Sequence, residues 1–451
     1  MTTFERKIAG RLAVGGLLLC SGWSAFAQAP TPPVQPPTTA AAQVAVPGQA
    51  VQESMTWDAL KSRFEAVNPQ LQADTLGVEE ARAQEITAFL RPNPTFSMSV
   101  DGTQVAPNDG HFIPFSGTDY QPGISYLWER DNKRHLRLDD AKANTAITAS
   151  QHLDLERNLI FNLRSAFVQT LQAKATLQSA NDDLEYYDKI IDISKQRYKD
   201  GDIAQIDLDR IELLRVQYES EQQSAIVNLR TAKIQLLQLL NDRTPVDNFD
   251  VTGIFDWGPE LAPLDDFHTI ALQNRPDLKA ALQQIDKSKI DHKLAIANGS
   301  TDPTITGWYT YNPSTNNPYA NQTIGVSVSI PLRIFDRNQG EKKRTQIDID
   351  RSQKSFDVAQ AAVFSDVDSS YAQLFSDIAL LKPYKAQYLD QASRVRSTIT
   401  YSYQHGGASL MEFLNAQSDY RVVQLAYLQL VGSYLTAASQ LNLAVGREVI
   451  P

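Results

Sequence analysis

The sequence predicts a mainly α-helical protein that also carries a transmembrane β-barrel, with the barrel completed by several chains. Three observations predict this fold class. A helix-strand-strand-helix-helix unit occurs twice, each unit ends in a long antiparallel coiled-coil hairpin, and each contributes two strands with one apolar face. Four strands cannot close a barrel, whereas a trimer would supply 12 strands and leave no free edge.

The amino terminus is typical of a secretory signal peptide. A charged start around Arg6 precedes an apolar stretch over residues 12–20 and a small-x-small cleavage site at residues 25–27. We therefore expect residues 1–27 to be removed. Lipidation of Cys20 is the alternative, although Leu19 stands where lipoprotein signals usually carry a small residue. Cleavage removes the only cysteine, which excludes disulfides and thiolate metal sites from the mature chain.

The rest of the chain divides by composition and by internal repetition. Residues 28–55 hold six prolines among Thr, Gln and Ala, which predicts a disordered tether in extended conformations. The remaining segments are a first repeat over 56–245, a connecting segment over 246–265, a second repeat over 266–447 and a C-terminal tail over 448–451.

A tandem duplication is indicated by a shift of 205 residues. This shift lays Tyr198 on Tyr403 and Gly201 on Gly406, and it lays Asp207 on Glu412. Recognising such a repeat is necessary for predicting the fold class, because neither copy alone can close a barrel or a tunnel.

Four strands are predicted, at about 94–103, 119–128, 303–312 and 323–332. Apolar and polar residues alternate in them, as a strand with one apolar face requires. A half-buried sheet in a soluble domain would show the same alternation. The Asn-, Pro-, Asp- and Gly-rich loops, and aromatic residues near the strand ends, favour a membrane barrel. These aromatic residues are Trp128, Trp308, Tyr309 and Tyr311.

Two helical hairpins are predicted from long stretches with few helix breakers. Residues 131–200 contain no Gly or Pro and would form a helix about 105 Å long at 1.5 Å per residue. The first tip lies at 200–202 and the second at 405–408. The returning arms are shorter, so the helix that precedes the strands is expected to stack end to end on each of them. Pro383 should kink the second long helix near Leu380.

Composition excludes several functional classes. A net charge of −10 argues against a nucleic-acid partner, and no apolar run of about 20 residues predicts a membrane-spanning helix. The six histidines form no metal-binding motif, and no Gly-rich phosphate loop follows a strand. No catalytic residue, cofactor or metal site is predicted, so we do not expect an enzyme.

Five motifs in this order carry a family resemblance. They are NPQL from Asn68, LRPNP from Leu90, RYKDGDIAQIDL from Arg197, IPLRIFDRNQGE from Ile330 and YQHGGASLMEFLNAQ from Tyr403. With them the chain resembles TolC-like outer-membrane factors, the outer membrane efflux protein family, and in particular the branch that serves resistance-nodulation-division pumps.

The resemblance implies a homotrimer with a barrel in outer-membrane lipid and a helical tunnel through the periplasm. Its implied function is the passive exit duct of a tripartite efflux system, with a periplasmic adaptor and an inner-membrane transporter as partners. A duct for type I protein secretion is one alternative. A periplasmic coiled-coil adaptor or scaffold is another.

The resemblance also implies site residues. Glu412 and Asn415 fall at the pore gate, where three Glu412 carboxylates would raise one another's pKa and favour cations. Tyr403 and Asp207 fall on a gate latch, whose further arginine partner is replaced by Ala408. The implied adaptor-docking residues at the tips are Tyr198, Gly201, Ile203, Gly406, Gly407 and Ser409.

Overall fold

The computed structural model describes residues 54–258, 260–313 and 319–450. The predicted signal peptide, and the predicted tether except for its last two residues, lie outside the described residues. The predicted C-terminal tail lies within them except for its last residue.

The first repeat contains four helices and the first two strands of the main sheet. A short strand β1 (Ser54–Met55) precedes it and pairs in parallel with β4 (Asp250–Val251) of the connecting segment. In chain order the elements are α1 (Trp57–Val67), α2 (Pro69–Phe89), β2 (Thr95–Asp101), β3 (Asp119–Leu127), α3 (Lys133–Asp200) and α4 (Gln205–Leu239).

The second repeat has the same order of elements, which confirms the duplicated unit. Its members are α5 (Leu264–Asn274), α6 (Pro276–Asn298), β5 (Thr304–Tyr311), β6 (Gln322–Ser329), α7 (Gln339–Pro383), α8 (Leu389–Gln404) and α9 (Leu410–Val445). Each repeat thus opens with a short helix, α1 or α5, that ends two residues before a proline.

Those prolines begin α2 and α6, because proline suits the first turn of a helix but not its interior. In the first repeat Asn68 caps α2, and its Oδ1 accepts hydrogen bonds from the backbone N–H groups of Gln70 and Leu71, both at 3.0 Å. Its Nδ2 donates to the Leu239 carbonyl at 3.1 Å, so the start of α2 meets the end of α4. The expected end-to-end stacking is therefore observed in the first repeat.

Helix α3 packs most extensively against α4, α6, α2 and α9, and α7 packs against α6 and α9. Buried side chains form three clusters, around Leu163 and Phe64, around Leu374 and Leu441, and near the tips around Tyr187. Each cluster combines side chains from different helices.

Helix α7 is followed directly by a π-helical turn at Tyr384–Tyr388 and then by α8. The irregularity lies C-terminal to Pro383, not near Leu380 as the sequence predicts. The Leu389 N–H bonds to the Tyr384 carbonyl, five residues back, so the chain absorbs the break by widening one turn instead of ending the helix.

The four strands form one antiparallel sheet in the order β2-β3-β5-β6. In the described part of the chain, β2 and β6 each pair on one side only. The register brings Phe96 opposite Ile124, then Gly307 and Val326 on the next strands, so the apolar positions share one face. This face is open to its surroundings, and Ile324 is 84% exposed. The predicted strands are confirmed.

Trp308 differs from its expected position near a strand end. It lies within β5 on the polar face, opposite Gly325. A Cβ atom at Gly325 would come within 2.3 Å of the Trp308 ring, so glycine leaves the space that the indole occupies.

None of the described helices combines the length and apolar character that a membrane-spanning helix requires.

Candidate functional site at the hairpin tips

The first hairpin turns at Gly201, which adopts the left-handed conformation with φ 83°. The Gly201 N–H bonds to the Tyr198 carbonyl at 3.1 Å, and the Asp202 N–H bonds to the Arg197 carbonyl at 2.8 Å. These bonds satisfy the last carbonyls of α3 in a turn that favours glycine.

The second hairpin repeats this turn at Gly406, with φ 76°. The Gly406 N–H bonds to the Tyr403 carbonyl at 3.2 Å, and the Gly407 N–H bonds to the Ser402 carbonyl at 2.7 Å. The two tips therefore have the same backbone design at positions 205 residues apart in the sequence.

Glu412 belongs to a capping box at the start of α9. Ser409 donates to the Glu412 carboxylate from both its backbone N–H and its hydroxyl, each at 2.8 Å. In return the Ser409 hydroxyl accepts from the Glu412 N–H at 3.3 Å. The backbone and hydroxyl bonds from Ser409 lower the pKa of Glu412, opposite in direction to the effect expected of a ring of like charges.

Asp207 lies at the equivalent position of the first hairpin without a matching cap. The N-cap residue of α4 is Ala204, whose methyl side chain cannot accept a hydrogen bond from the backbone N–H groups at the start of the helix. Among the described residues, no hydrogen bond or ion pair involves the half-buried Asp207 carboxylate. Glu412 and Asn415 are both exposed and lie three residues apart on one side of α9.

Tyr403 is buried between the hairpins. Its ring stacks on Phe413 with centroids 4.8 Å apart, and the Arg197 guanidinium lies 5.0 Å from the ring centre. Arg197 also donates to the Tyr403 carbonyl at 2.6 Å, which ties the end of α3 to the end of α8. Burial raises the pKa of Tyr403, and the positive charge of Arg197 partly offsets the effect.

The Tyr403 hydroxyl has no hydrogen-bond partner in the described part of the protomer. In particular it forms no bond with Asp207. The Tyr403–Asp207 latch therefore stays a prediction that concerns the assembled channel.

A polar network that sequence patterns do not reveal joins the hairpins further from the tips. The Tyr186 hydroxyl and Thr400 Oγ1 lie 2.7 Å apart, and Gln417 donates to Thr400 at 3.1 Å. Arg421 and Glu221 form an ion pair at 2.7 Å. The Tyr186–Thr400 and Arg421–Glu221 contacts join residues 214 and 200 positions apart, and the Gln417–Thr400 contact crosses the turn of the second hairpin.

The predicted tip residues present a largely exposed surface. Tyr198, Gly201, Gly406, Gly407 and Ser409 are exposed, and Ile203 is half-buried. Ile206, beside this set, is 58% exposed despite its apolar side chain. No group of three His, Cys, Asp or Glu residues in the described ranges is placed to hold a metal ion.

Comparison with known proteins gives a family match. Residues 60–242 and 269–447 match the model of a family described as outer membrane efflux protein. The two matched ranges coincide with the two structural repeats.

Individual relatives are more distant in sequence. The cobalt-zinc-cadmium resistance protein CzcC of Cupriavidus metallidurans is 21% identical over 320 residues, which cover 71% of this chain and 75% of the relative. The fold resembles that of CusC, with a TM-score of 0.73 at 18% identity over 87% of this chain and 92% of the other. It also resembles the Campylobacter jejuni outer-membrane channel CmeC, with a TM-score of 0.71 at 15% identity over 88% and 87% of the two chains.

Proposed function

The chain belongs to the outer membrane efflux protein family, and from this premise we propose how its parts conduct and regulate transport. The protein is an outer-membrane efflux duct with a helical tunnel in the periplasm. Members of this family are trimeric channels that work with efflux pumps, and they are not enzymes. The alternatives of a coiled-coil adaptor or a scaffold are excluded by the family match.

The proposal for the membrane-spanning part rests on the four-stranded sheet. It has four antiparallel strands, one apolar face and two edges that are unpaired in the described chain. Because strand direction alternates, β6 runs opposite to β2, so β6 of one copy can continue the antiparallel ladder with β2 of the next. Three copies would give the 12 strands of a closed barrel, with the apolar face towards lipid.

The hairpin tips are the proposed docking surface for a periplasmic adaptor, which would connect the duct to an inner-membrane transporter. Exposure of Ile206 and of the glycine turns at Gly201 and Gly406 supports this role. Apolar side chains and glycine backbone at a tip allow close approach of a partner helix.

Glu412 and Asn415 are the proposed pore gate. Both side chains are exposed in the protomer, and capping by Ser409 holds the Glu412 carboxylate at the start of α9. A lowered pKa keeps this carboxylate ionised through the neutral range, so a ring of three would attract cations. Tyr403 and Asp207 are the proposed latch, formed between helices of the closed trimer.

Divalent metal ions are a candidate cargo beside organic compounds. The name of the relative CzcC concerns resistance to cobalt, zinc and cadmium, and an anionic gate would suit cations. Secretion of a protein substrate is the second alternative.

Deletion of the gene in its own organism tests the duct and its cargo together. We expect the deletion strain to become more sensitive to organic toxins or to cobalt, zinc and cadmium salts, because the pump loses its exit. The wild-type gene should restore resistance. Ile206→Asp should not, because it places a charge on the docking surface.

The matched control is Ile254→Asp, which makes the same change at an exposed position of the connecting segment. It should restore resistance fully. Unchanged sensitivity of the deletion strain to both toxin classes would contradict efflux of either cargo. Equal resistance with Ile206→Asp and Ile254→Asp would contradict docking at the tips.

A further inference from the structure

A cavity of about 380 Å³ lies far from the tips, where α1, the middle of α3 and the junction of α9 with α6 meet. Ile160 and Phe161 of α3 and Leu443 of α9 provide apolar walls. Its volume is within the range of cavities that bind small molecules. None of the proposed gate, latch or docking residues lines it.

Arg164 lies in this cavity without a counterion. Its guanidinium is 4.5 Å from the centre of the Trp57 ring and 6.0 Å from that of Phe167, and it forms no ion pair with any carboxylate in the described ranges. Burial lowers the pKa of Arg164, partly offset by the more distant charges of Glu448 and Asp58. Aromatic stacking compensates some of the desolvation cost, but the N–H groups still lack an anion.

Two other residues that line the cavity each have one donor that is buried without an acceptor in the described structure. These donors are Trp57 Nε1 and Arg157 Nε. The other Arg157 nitrogens are occupied, because Nη1 donates to the Leu443 carbonyl at 2.5 Å and Nη2 pairs with Asp154. Buried N–H groups without acceptors are costly in proteins, so their occurrence beside one cavity indicates a missing acceptor.

The ionisable residues that line the cavity are Lys61, Arg157, Arg164, Arg447, Glu156 and Glu448. Arg157 is paired with Asp154 and lies 3.7 Å from Asp277, so its charge is already compensated. Of the other ionisable lining residues, three are cations and two are anions. Because Arg164 has no ion-pair partner in the described ranges, its charge is available to an anionic ligand.

We propose that this cavity binds a small amphipathic carboxylate. The carboxylate accepts hydrogen bonds from Arg164 and Trp57 Nε1, and the apolar body of the ligand packs against Phe161 and Leu443. A guanidinium matches a carboxylate in geometry, and the apolar walls account for the preference over a simple inorganic anion.

The test is titration of the purified full-length trimer, in lipid nanodiscs, with 1-naphthoate followed by calorimetry. We expect saturable binding to the wild-type protein. Arg164→Gln should weaken binding by about tenfold, the effect of losing one charge-assisted hydrogen bond. The affinity of Arg164→Lys should lie between those of the wild type and Arg164→Gln. Glu448→Gln should strengthen binding because it removes a competing carboxylate.

The matched control is Arg230→Gln on α4, where the side chain is exposed and, within the described ranges, pairs with Asp247 alone. It should bind like the wild type. If Arg164→Gln does not assemble, Trp57→Phe keeps an aromatic ring, removes one donor and should also weaken binding. Absence of saturable binding to the wild-type trimer would overturn the proposal, as would equal affinity in the control and in the assembled cavity variants.

Discussion

Replacing Phe413 with alanine is expected to destabilise the tip cluster by about 3–5 kcal/mol, the usual cost of truncating a buried phenylalanine. Phe413 is fully buried and stacks on Tyr403, in a cluster that also contains Tyr187 and Ile211 from the other hairpin. Its loss should loosen the start of α9, which carries Glu412. We expect faster hydrogen exchange at both tips and a higher resting conductance in planar bilayers.

Two variants serve as controls for this experiment. Met411→Ala changes a side chain that is 61% exposed two residues away, and it should alter stability by no more than about 0.5 kcal/mol. Tyr403→Phe removes only a hydroxyl that has no partner in the described part of the protomer, so stability should hardly change. A raised conductance with Tyr403→Phe would support the latch with Asp207, whereas an unchanged closed state would remove Tyr403 from it. Wild-type exchange and conductance in Phe413→Ala would contradict the role of the cluster.

Replacing Arg275 with methionine should destabilise the helical part by about 1.5–3 kcal/mol, because it removes charge-assisted hydrogen bonds to the half-buried Asp277 and the exposed Asp366. Arg275 is 6% exposed and binds Asp277 through two bonds, at 2.6 and 3.0 Å. It also pairs with Asp366 at 2.7 Å and donates to the Ala444 carbonyl at 3.4 Å. One side chain thus joins α6, α7 and the end of α9.

The destabilisation should depend on pH. Burial raises the pKa of Asp277, but hydrogen bonding and charge from Arg275 outweigh it, so its pKa lies below the ordinary value of 3.8. A carboxylate whose pKa is lowered by folding stabilises the protein when the pH is above its unfolded-state pKa. This stabilisation is lost as the pH falls through the folded-state pKa. The difference in the free energy of unfolding between wild type and Arg275→Met should therefore be largest at neutral pH, and it should shrink below about pH 4.

Thermal unfolding of the trimer in detergent, followed by circular dichroism at pH 7 and pH 3, measures this difference. The matched control is Arg344→Met on α7, which also removes a partner of two carboxylates, Glu341 and Asp348, but at a site that is 58% exposed. Exposed pairs contribute about 0–1 kcal/mol, so this variant should resemble the wild type. Equal unfolding of the two variants would show that Arg275 does not hold the junction.

Local patterns predicted the elements of the fold well, because period, length and turn residues are local properties. The strands follow from alternation, and the hairpins follow from stretches ended by Gly201 and Gly406. Pro383 shows the limit of such reasoning. Proline predicts an irregularity, but whether the helix bends or inserts a π turn depends on the packing around it.

The site was less accessible to prediction. The pairing of Arg197 with the Tyr403 carbonyl joins residues 206 positions apart, and that of Arg275 with Asp366 spans 91 positions. Neither leaves a periodic signal in one sequence. The capping box was detectable, since Ser409 stands three residues before Glu412 at the start of a helix.

Cross-linking between strands of different chains tests the central claim, closure of the sheet by three copies. Within one chain β3 and β5 separate β2 from β6, which places the two edges about 14 Å apart at the usual strand spacing, too far for a disulfide. Paired cysteines would replace Ser97 or Ser99 on β2 and Thr323 or Ser327 on β6, all on the polar face, in a chain with Cys20→Ala.

To measure linkage between chains, outer membranes are oxidised and their proteins are separated by size without reductant. We predict that the pair in register yields covalent trimers, whereas Ser97→Cys combined with Val326→Cys, on opposite faces, does not. Failure of every polar-face pair to link chains, with the protein recovered as a monomer, would contradict the account.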